Sequence, residues 1–341
     1  MNRTRLYSAL AVVAACLFCV SAAHAQETAF KGKTIRMIVG LAPGGGYDTY
    51  TRLIARHLGK YIPGNPVVVV ENMDGAGSLI AANHIFKVAK TDGLTVGHIV
   101  GGLFLQQLLG RSGIEFDAVK FQFIGVPTQD NFAMGLSKAA GLPDLEKWKA
   151  SKTVIKFGGV TPGGGTDDIP KVLAHTLGLP LQVVSGYKGT GPIRLAFNSG
   201  EVQGISNAWE SFKATWRQEL ESGELVLVVQ ATLKPHPDLA KLPVAYTLAK
   251  SEEDAKLIQL IARVHGATAR PYLLPPGTPK EIVEILRKAF TETMRDPELL
   301  AEAQKAKLDI NPDDGASLER NVREIFKLDP PLVAKLKEIL K

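Results

Sequence analysis

The feature that most constrains this chain is an echo of itself. At a shift of 119 residues, Thr34-Ile-Arg-Met-Ile-Val-Gly-Leu-Ala-Pro-Gly-Gly-Gly-Tyr-Asp48 falls on Thr153-Val-Ile-Lys-Phe-Gly-Gly-Val-Thr-Pro-Gly-Gly-Gly-Thr-Asp167. The register continues without a gap, with Arg52 on Lys171, Ala55 on Ala174, Leu58 on Leu177 and Gly59 on Gly178. One shared motif arises by chance easily; a strand, a loop and a helix in one register do not.

Each copy opens with a β-rich run (35–41 and 154–160) that ends in Pro-Gly-Gly-Gly and passes into apolar residues at helical spacing. The first helix shows Tyr50, Leu53, Ile54, His57 and Leu58 on one face, and the second shows Ile169, Val172, Leu173, Thr176 and Leu177. Gly59 and Gly178 follow as expected C′ glycines. A second strand comes next (67–70 and 181–184), then a second glycine turn (72–78 and 187–192) leading into another helical stretch. Alternating strands and helices predict an α/β fold, each lobe a mostly parallel sheet flanked by helices. Gly125-Val126-Pro127 marks a crossover, so 26–126 and 127–235 form the two expected lobes. Residues 236–341 are expected to pack back on the first, including a helix with Thr278 as N-cap and Ile282, Ile285, Leu286, Phe290 and Met294 on one face.

The 341 residues suit two such lobes. Residues 1–25 differ in kind: Arg3 and Arg5, an apolar run from Leu6 to Val20, then Ala23-His24-Ala25. This is a secretory signal peptide with cleavage expected after Ala25, and the periplasm as destination. A lipobox-like Val13-Ala14-Ala15-Cys16 offers lipid anchoring as the rival reading, opposed by the apolar Leu17, Phe18 and Val20 behind it. Cys16 and Cys19 are the only cysteines, so the mature chain has no disulfide and no thiolate chemistry. Cleavage lowers the formal charge from +6 to +4, because the segment holds two arginines and no acid. Scattered basic residues at that modest excess do not indicate nucleic acid. No later stretch has the roughly 20 apolar residues of a membrane span.

A glycine loop between strand and helix presents free backbone N–H groups at the positive end of a helix dipole, where anions bind. Glycine lets an oxygen approach without meeting a Cβ. Asp48 and Asp167 read as helix N-terminal caps more readily than as ligand contacts. Tyr47 and Tyr187 have two readings, hydrogen-bond donors in a cleft or half-buried packing residues. Lys188 either pairs with a distal carboxylate or is solvated, Asn72 either orients its loop or touches ligand, and Asn207-Ala208-Trp209 walls the cleft or, for Trp209, joins the core.

These residues resemble the tripartite tricarboxylate transporter solute-binding proteins, the Bug family, also called TctC-like. The likeness rests on Ala42-Pro43-Gly44-Gly45-Gly46-Tyr47-Asp48, Glu71-Asn72-Met73-Asp74-Gly75-Ala76-Gly77, Thr161-Pro162-Gly163-Gly164-Gly165-Thr166, Gly186-Tyr187-Lys188-Gly189-Thr190, Gly200-Glu201-Val202-Gln203-Gly204 and Pro275-Pro276-Gly277-Thr278-Pro279. The resemblance implies a two-lobed, type II-like Venus flytrap holding a small carboxylate. It implies that Gly45–Asp48 and Thr161–Thr166 hold a carboxylate by backbone amides and bridging water, with Tyr187, Lys188, Gly189, Thr190 and Asn207 around the rest of the ligand. It implies a monomer that serves membrane permease subunits, with no cofactor, no metal and no catalytic residue. Two positions depart from the pattern: Asp74 stands where proline is usual, and Tyr47 where a small polar residue is usual.

An enzyme is the first rival. The seven histidines show no metal-ligand spacing, and Gly204-Ile-Ser206-Asn-Ala208 matches a nucleophile elbow poorly. Gly44-x-Gly46-x-x-Thr49 lacks the third glycine of a dinucleotide loop. The second rival is a ligand sensor for a signalling receptor, which uses the same closure and is not separable by sequence.

Overall fold

The computed structural model describes residues 29–341, so the predicted signal segment with both cysteines lies outside the described residues. The first half runs β1 (Thr34–Val39), α1 (Gly46–Leu58), β2 (Val67–Asn72), α2 (Leu79–Lys87), β3 (Thr95–His98), α3 (Leu103–Leu108) and β4 (Gln122–Val126). A short crossover leads into β5 (Phe132–Ser137), α4 (Leu145–Ala150), β6 (Ile155–Gly158), α5 (Gly165–Leu177), β7 (Leu181–Val184) and α6 (Thr190–Asn198). Then follow β8 (Gly204–Ala208), α7 (Trp209–Thr215), α8 (Arg217–Glu221) and β9 (Leu225–Ala231). The chain closes with α9 (Glu252–Ala267), β10 (Tyr272–Leu274), α10 (Lys280–Thr293), α11 (Pro297–Ala306), β11 (Asp313–Asp314), α12 (Gly315–Ile325) and α13 (Pro330–Ile339).

The strands form two sheets of matching design, β2-β1-β3-β10-β4-β11 and β7-β6-β8-β5-β9. β1 is parallel to β2 and β3, and β6 is parallel to β7 and β8. In each sheet one inner strand runs against both neighbours, β10 between β3 and β4 and β5 between β8 and β9, and the short edge strand β11 is also antiparallel to β4. Both helix faces read from the sequence are buried, Tyr50 to Leu58 in α1 and Ile169 to Leu177 in α5. The cause is the usual one: apolar side chains at i, i+3 and i+4 share one stripe, and removing such a side chain from water is worth about 1.5–3 kcal/mol. α1, α10 and α11 cover one face of the first sheet, enclosing Met37, Ile54, Leu286 and Phe290. Among the described residues no helix is long and apolar enough to cross a membrane.

Local departures have physical causes. Gly178 ends α5 with φ 69, as a C′ glycine does, whereas Gly59 has φ −59 and continues into a 3-10 turn. Gly59 is needed for space: a Cβ there would collide with the Pro66 carbonyl. Thr278 is not the N-cap of α10; Pro279 holds that position, and the Thr278 hydroxyl donates to the Pro275 carbonyl at 2.8 Å. Within 236–341, α9 packs on α5 and β9 of the second sheet, while α10 and α11 pack on α1 of the first. Ser206 sits inside β8 and not at a strand-to-helix elbow.

Candidate ligand-binding cleft

The two glycine loops face one another across the gap between the sheets. Between them lies a partly open cavity of about 50 Å³, lined from both sides and by Asp130 and Arg270. Three helices begin at its wall: α1 at Gly45 and Gly46, α5 at Gly164 and Gly165, and α6 at Gly189 and Thr190. Each has unpaired first-turn N–H groups and a positive dipole end, so the wall attracts a negative charge. Leu41, Val100, Phe132 and Val160 form its apolar part.

Of the residues singled out from the sequence, Gly45, Gly46, Tyr47, Gly164, Gly165, Thr166, Gly189, Thr190 and Asn207 line this cavity. Thr161, Tyr187 and Lys188 line a neighbouring cleft of about 270 Å³, which shares Leu41 and Val160 with it. Asp48, Asn72 and Gly163 lie outside both.

Their hydrogen bonds explain the sorting. Asp48 accepts from the Gly44 amide at 3.0 Å and pairs with Arg52 at 2.9 Å. Asn72 donates to Asp48 at 3.0 Å and to the Leu41 carbonyl at 2.8 Å. Burial alone would raise the Asp48 pKa, but Arg52, the Gly44 amide and Asn72 outweigh it and hold the group below its ordinary value. Asp167 accepts from the Thr161 amide, the Thr166 hydroxyl (both 2.8 Å) and the Ser185 hydroxyl. Neither aspartate caps its own helix; the N-caps are Gly45 and Gly164, without side-chain bonds. The acids brace the loops that precede the helices.

Tyr187 donates to Glu201 at 2.5 Å, and burial followed by that carboxylate pushes its pKa up to about 12. Lys188 pairs with Asp74 of the other lobe at 3.1 Å, so the departure at Asp74 makes a cross-lobe contact. Trp209 donates to Asp238 at 2.8 Å and lies outside the cavity lining.

Several glycines serve lobe-on-lobe approach. A Cβ on Gly77 would overlap the Thr161 side chain, and one on Gly102 would overlap the Gly163 carbonyl. The Ala42 amide donates to the Lys188 carbonyl at 2.9 Å, and Arg111 reaches from the first lobe to the Pro162 carbonyl at 2.6 Å and the Thr161 hydroxyl at 3.1 Å. The described structure is thus a closed one.

Sequence reasoning missed the charged floor. Arg270, between α9 and β10, is fully buried; its Nε donates to Asp130 at 2.5 Å and its Nη2 to the Ser211 hydroxyl at 2.6 Å. Its guanidinium lies 5.1 Å from the Tyr47 ring centroid and 4.7 Å from that of Tyr50. Burial raises the Asp130 pKa, although Arg270 opposes it. Glu210, buried behind Asn131 and facing Asp130, is raised to about 7 by burial and then by that like charge. Tyr47 stacks on His98 at 4.7 Å, and His98 on Tyr272 at 4.2 Å. Burial holds His98 down at about 3. A lone Arg270 before Pro271 carries no periodicity, and only tertiary packing brings it to the loops.

His57, Asp296 and Glu298 form, among the described residues, a group compact enough to suggest a metal ion. The Lys60 ammonium pairs with both of its carboxylates and so supplies positive charge there already.

No family model matches the chain. A curated relative from Cupriavidus necator, named UPF0065 protein in gbd 5'region, is 25% identical over 300 residues, 85% of this chain and 83% of that one. Further curated relatives share the UPF0065 designation. Among solved structures, the periplasmic binding protein BugD superposes with TM-score 0.72 at 19% identity, covering 91% of this chain and 98% of its own. MatC from Rhodopseudomonas palustris, solved with malate, gives TM-score 0.71 at 20% identity, covering 92% of this chain and 100% of its own. The fold is that of two-lobed periplasmic binding proteins.

Proposed function

We propose that this chain is an exported solute-binding receptor of the Bug type. It closes two lobes on a small carboxylate and delivers it to membrane permease subunits of a tripartite tricarboxylate-type transporter. The observation that carries the reading is the convergence of three glycine-flanked helix N-termini on one cavity between the lobes. Three or four amide bonds to a charged group, at roughly 1.5–3 kcal/mol each, are sufficient in size for micromolar capture before association entropy is subtracted. The malate held by MatC is consistent with a carboxylate here.

Ligand contacts that exist only in the closed form drive closure, because a ligand shifts a two-state equilibrium by its difference in affinity for the two states. The segment 1–25 supports export with release after Ala25, giving a monomer in the periplasm. The test is a thermal-shift screen of the refolded protein against carboxylates and neutral controls. A ligand at 100 times its Kd adds about 2.7 kcal/mol of stability. A shift confined to acids supports the reading; a shift with neutral solutes alone overturns it.

A further inference from the structure

Two side chains at the cavity wall are buried with a donor that has no partner among the described residues: Arg270, 0% exposed, through Nη1, and Asn207, 4% exposed, through Nδ2. The other guanidinium nitrogens are engaged, Nε by Asp130 and Nη2 by Ser211. Asn207 Oδ1 accepts from the Ala208 amide at 3.0 Å, and its amide nitrogen is left without a partner in a residue that lines the cavity. A buried donor without a partner is costly, and such groups in native structures mark where something binds. The Nη1 atom also lies on the first glycine loop, 3.2 Å from where a Gly46 Cβ would stand.

The backbone at Arg270 adds a second sign. Its φ of 55 is left-handed, a region that a non-glycine residue adopts at a cost and that clusters at ligand clamps. The chain accepts this strain to present the guanidinium between the Tyr47 and Tyr50 rings.

We propose that Arg270, with Asn207, is the specificity-determining contact of the cleft: its Nη1 ion-pairs directly with the ligand's anionic head beside the Gly46 loop. The inference rests on the carboxylate-receptor reading and deepens it by naming the ligand class, a compact monoanion. The lining combines helix N-termini and the Arg270 and Asn207 donors with the apolar side chains of Leu41, Val100, Phe132 and Val160. Arg270 is the one cationic side chain of the lining and Asp130, already bonded to it, the one acidic side chain, so the side chains offer counter-charge for a single anionic head. The space admits on the order of four water-sized groups, which suits a short-chain monocarboxylate.

The experiment is calorimetric titration of the purified protein with butyrate, its neutral isostere butyramide, and succinate. Expected are tighter binding of butyrate than of either, and a loss of about 10- to 100-fold for butyrate in R270Q with little change for butyramide. A structural role alone would weaken butyrate and butyramide equally, and that result overturns the proposal. Because R270Q leaves Asp130 uncompensated, R270Q/D130N is measured beside it; butyrate selectivity surviving in the double variant likewise overturns it. Succinate binding more tightly than butyrate sinks the monoanion assignment while the receptor reading stands. If no carboxylate binds the unaltered protein, the receptor reading itself fails.

Discussion

The two glycine loops begin as near-copies and end with different duties. In the first, Asp48 takes the Gly44 amide; in the second, the equivalent Gly163 amide goes to Asp168, whose counterpart in the echo is Thr49. Asp167, in register with Asp48, instead takes the Thr161 amide and the Ser185 hydroxyl. Asp168 is also tied to His265 at 3.2 Å, so two buried acids hold the second loop and one holds the first. Tyr47 and Thr166 diverge furthest. The tyrosine reaches out under Arg270, while the Thr166 hydroxyl turns back to accept from the Val160 amide at 3.1 Å. The repeated register supplies the dipoles twice, and the differing side chains make one loop a self-sealed platform and the other the seat of a charge.

The sharpest way to break this comparison is at the glycines. Gly102→Val places a side chain against the Gly163 carbonyl of the facing loop, whereas Gly164→Val meets chiefly the Thr161 carbonyl of its own loop, 3.1 Å away. Gly102→Val should hold the lobes apart and weaken carboxylate binding by more than about 100-fold with the fold retained. Gly164→Val should weaken binding less. X-ray scattering with and without ligand checks this; ligand-driven compaction of Gly102→Val equal to that of the unaltered protein would contradict the closed contact described above.

A smaller effect separates the aspartates. Asp167→Ala leaves buried donors unpaired and should cost about 2–4 kcal/mol by urea unfolding, against about 1–2 kcal/mol for Asp48→Ala, where solvent reaches Arg52. Equal losses would mean that the two loops are braced alike.

The lobes also differ in pH response. His98, in β3 of the first sheet, is held near 3 against an ordinary 6.5, so the unfolded chain takes up its proton first. The stability from its neutral state is present above pH 6.5 and is lost as pH falls towards 3. Glu210, on α7 of the second lobe, is held near 7 against 4.5, so the folded chain keeps its proton. Its contribution is present below 4.5 and is lost as pH rises through 7. Glu210→Gln should therefore flatten the decline between pH 5 and 8 by about 1–3 kcal/mol, read from urea midpoints across pH. An unchanged slope would remove Glu210 as its source. The smallest expected effect is Arg52→Ala, about 0.5 kcal/mol, because the pair with Asp48 is half exposed.

Much of this architecture was legible because repetition multiplies weak signals. The buried stripes of α1 and α5 follow from side-chain spacing, and both helices span the 13 residues that the shift of 119 predicts. What escaped reading depends on contacts far apart in sequence. Asp130 and Arg270 are 140 residues apart, each alone in an irregular segment, and no local pattern marks them as partners. Helix α9 has an ordinary amphipathic face; which sheet it covers is decided by the crossovers on either side of it. Asn72 and Lys188 look like cleft residues by position, yet Asp48 and Asp74 claim their polar atoms.

The strand that runs against its neighbours in each sheet has a consequence for the order of assembly. β5 and its partners β8 and β9 lie within 132–231, so the second sheet can complete as soon as that stretch has emerged. The first sheet cannot. Its β3 and β4 are joined only through β10, whose residues 272–274 emerge after the whole second lobe. The half of the molecule made first therefore matures last, with open strand edges in the interval, and such edges invite mispairing. A chain built this way completes the cavity between its glycine loops only when its last third has arrived.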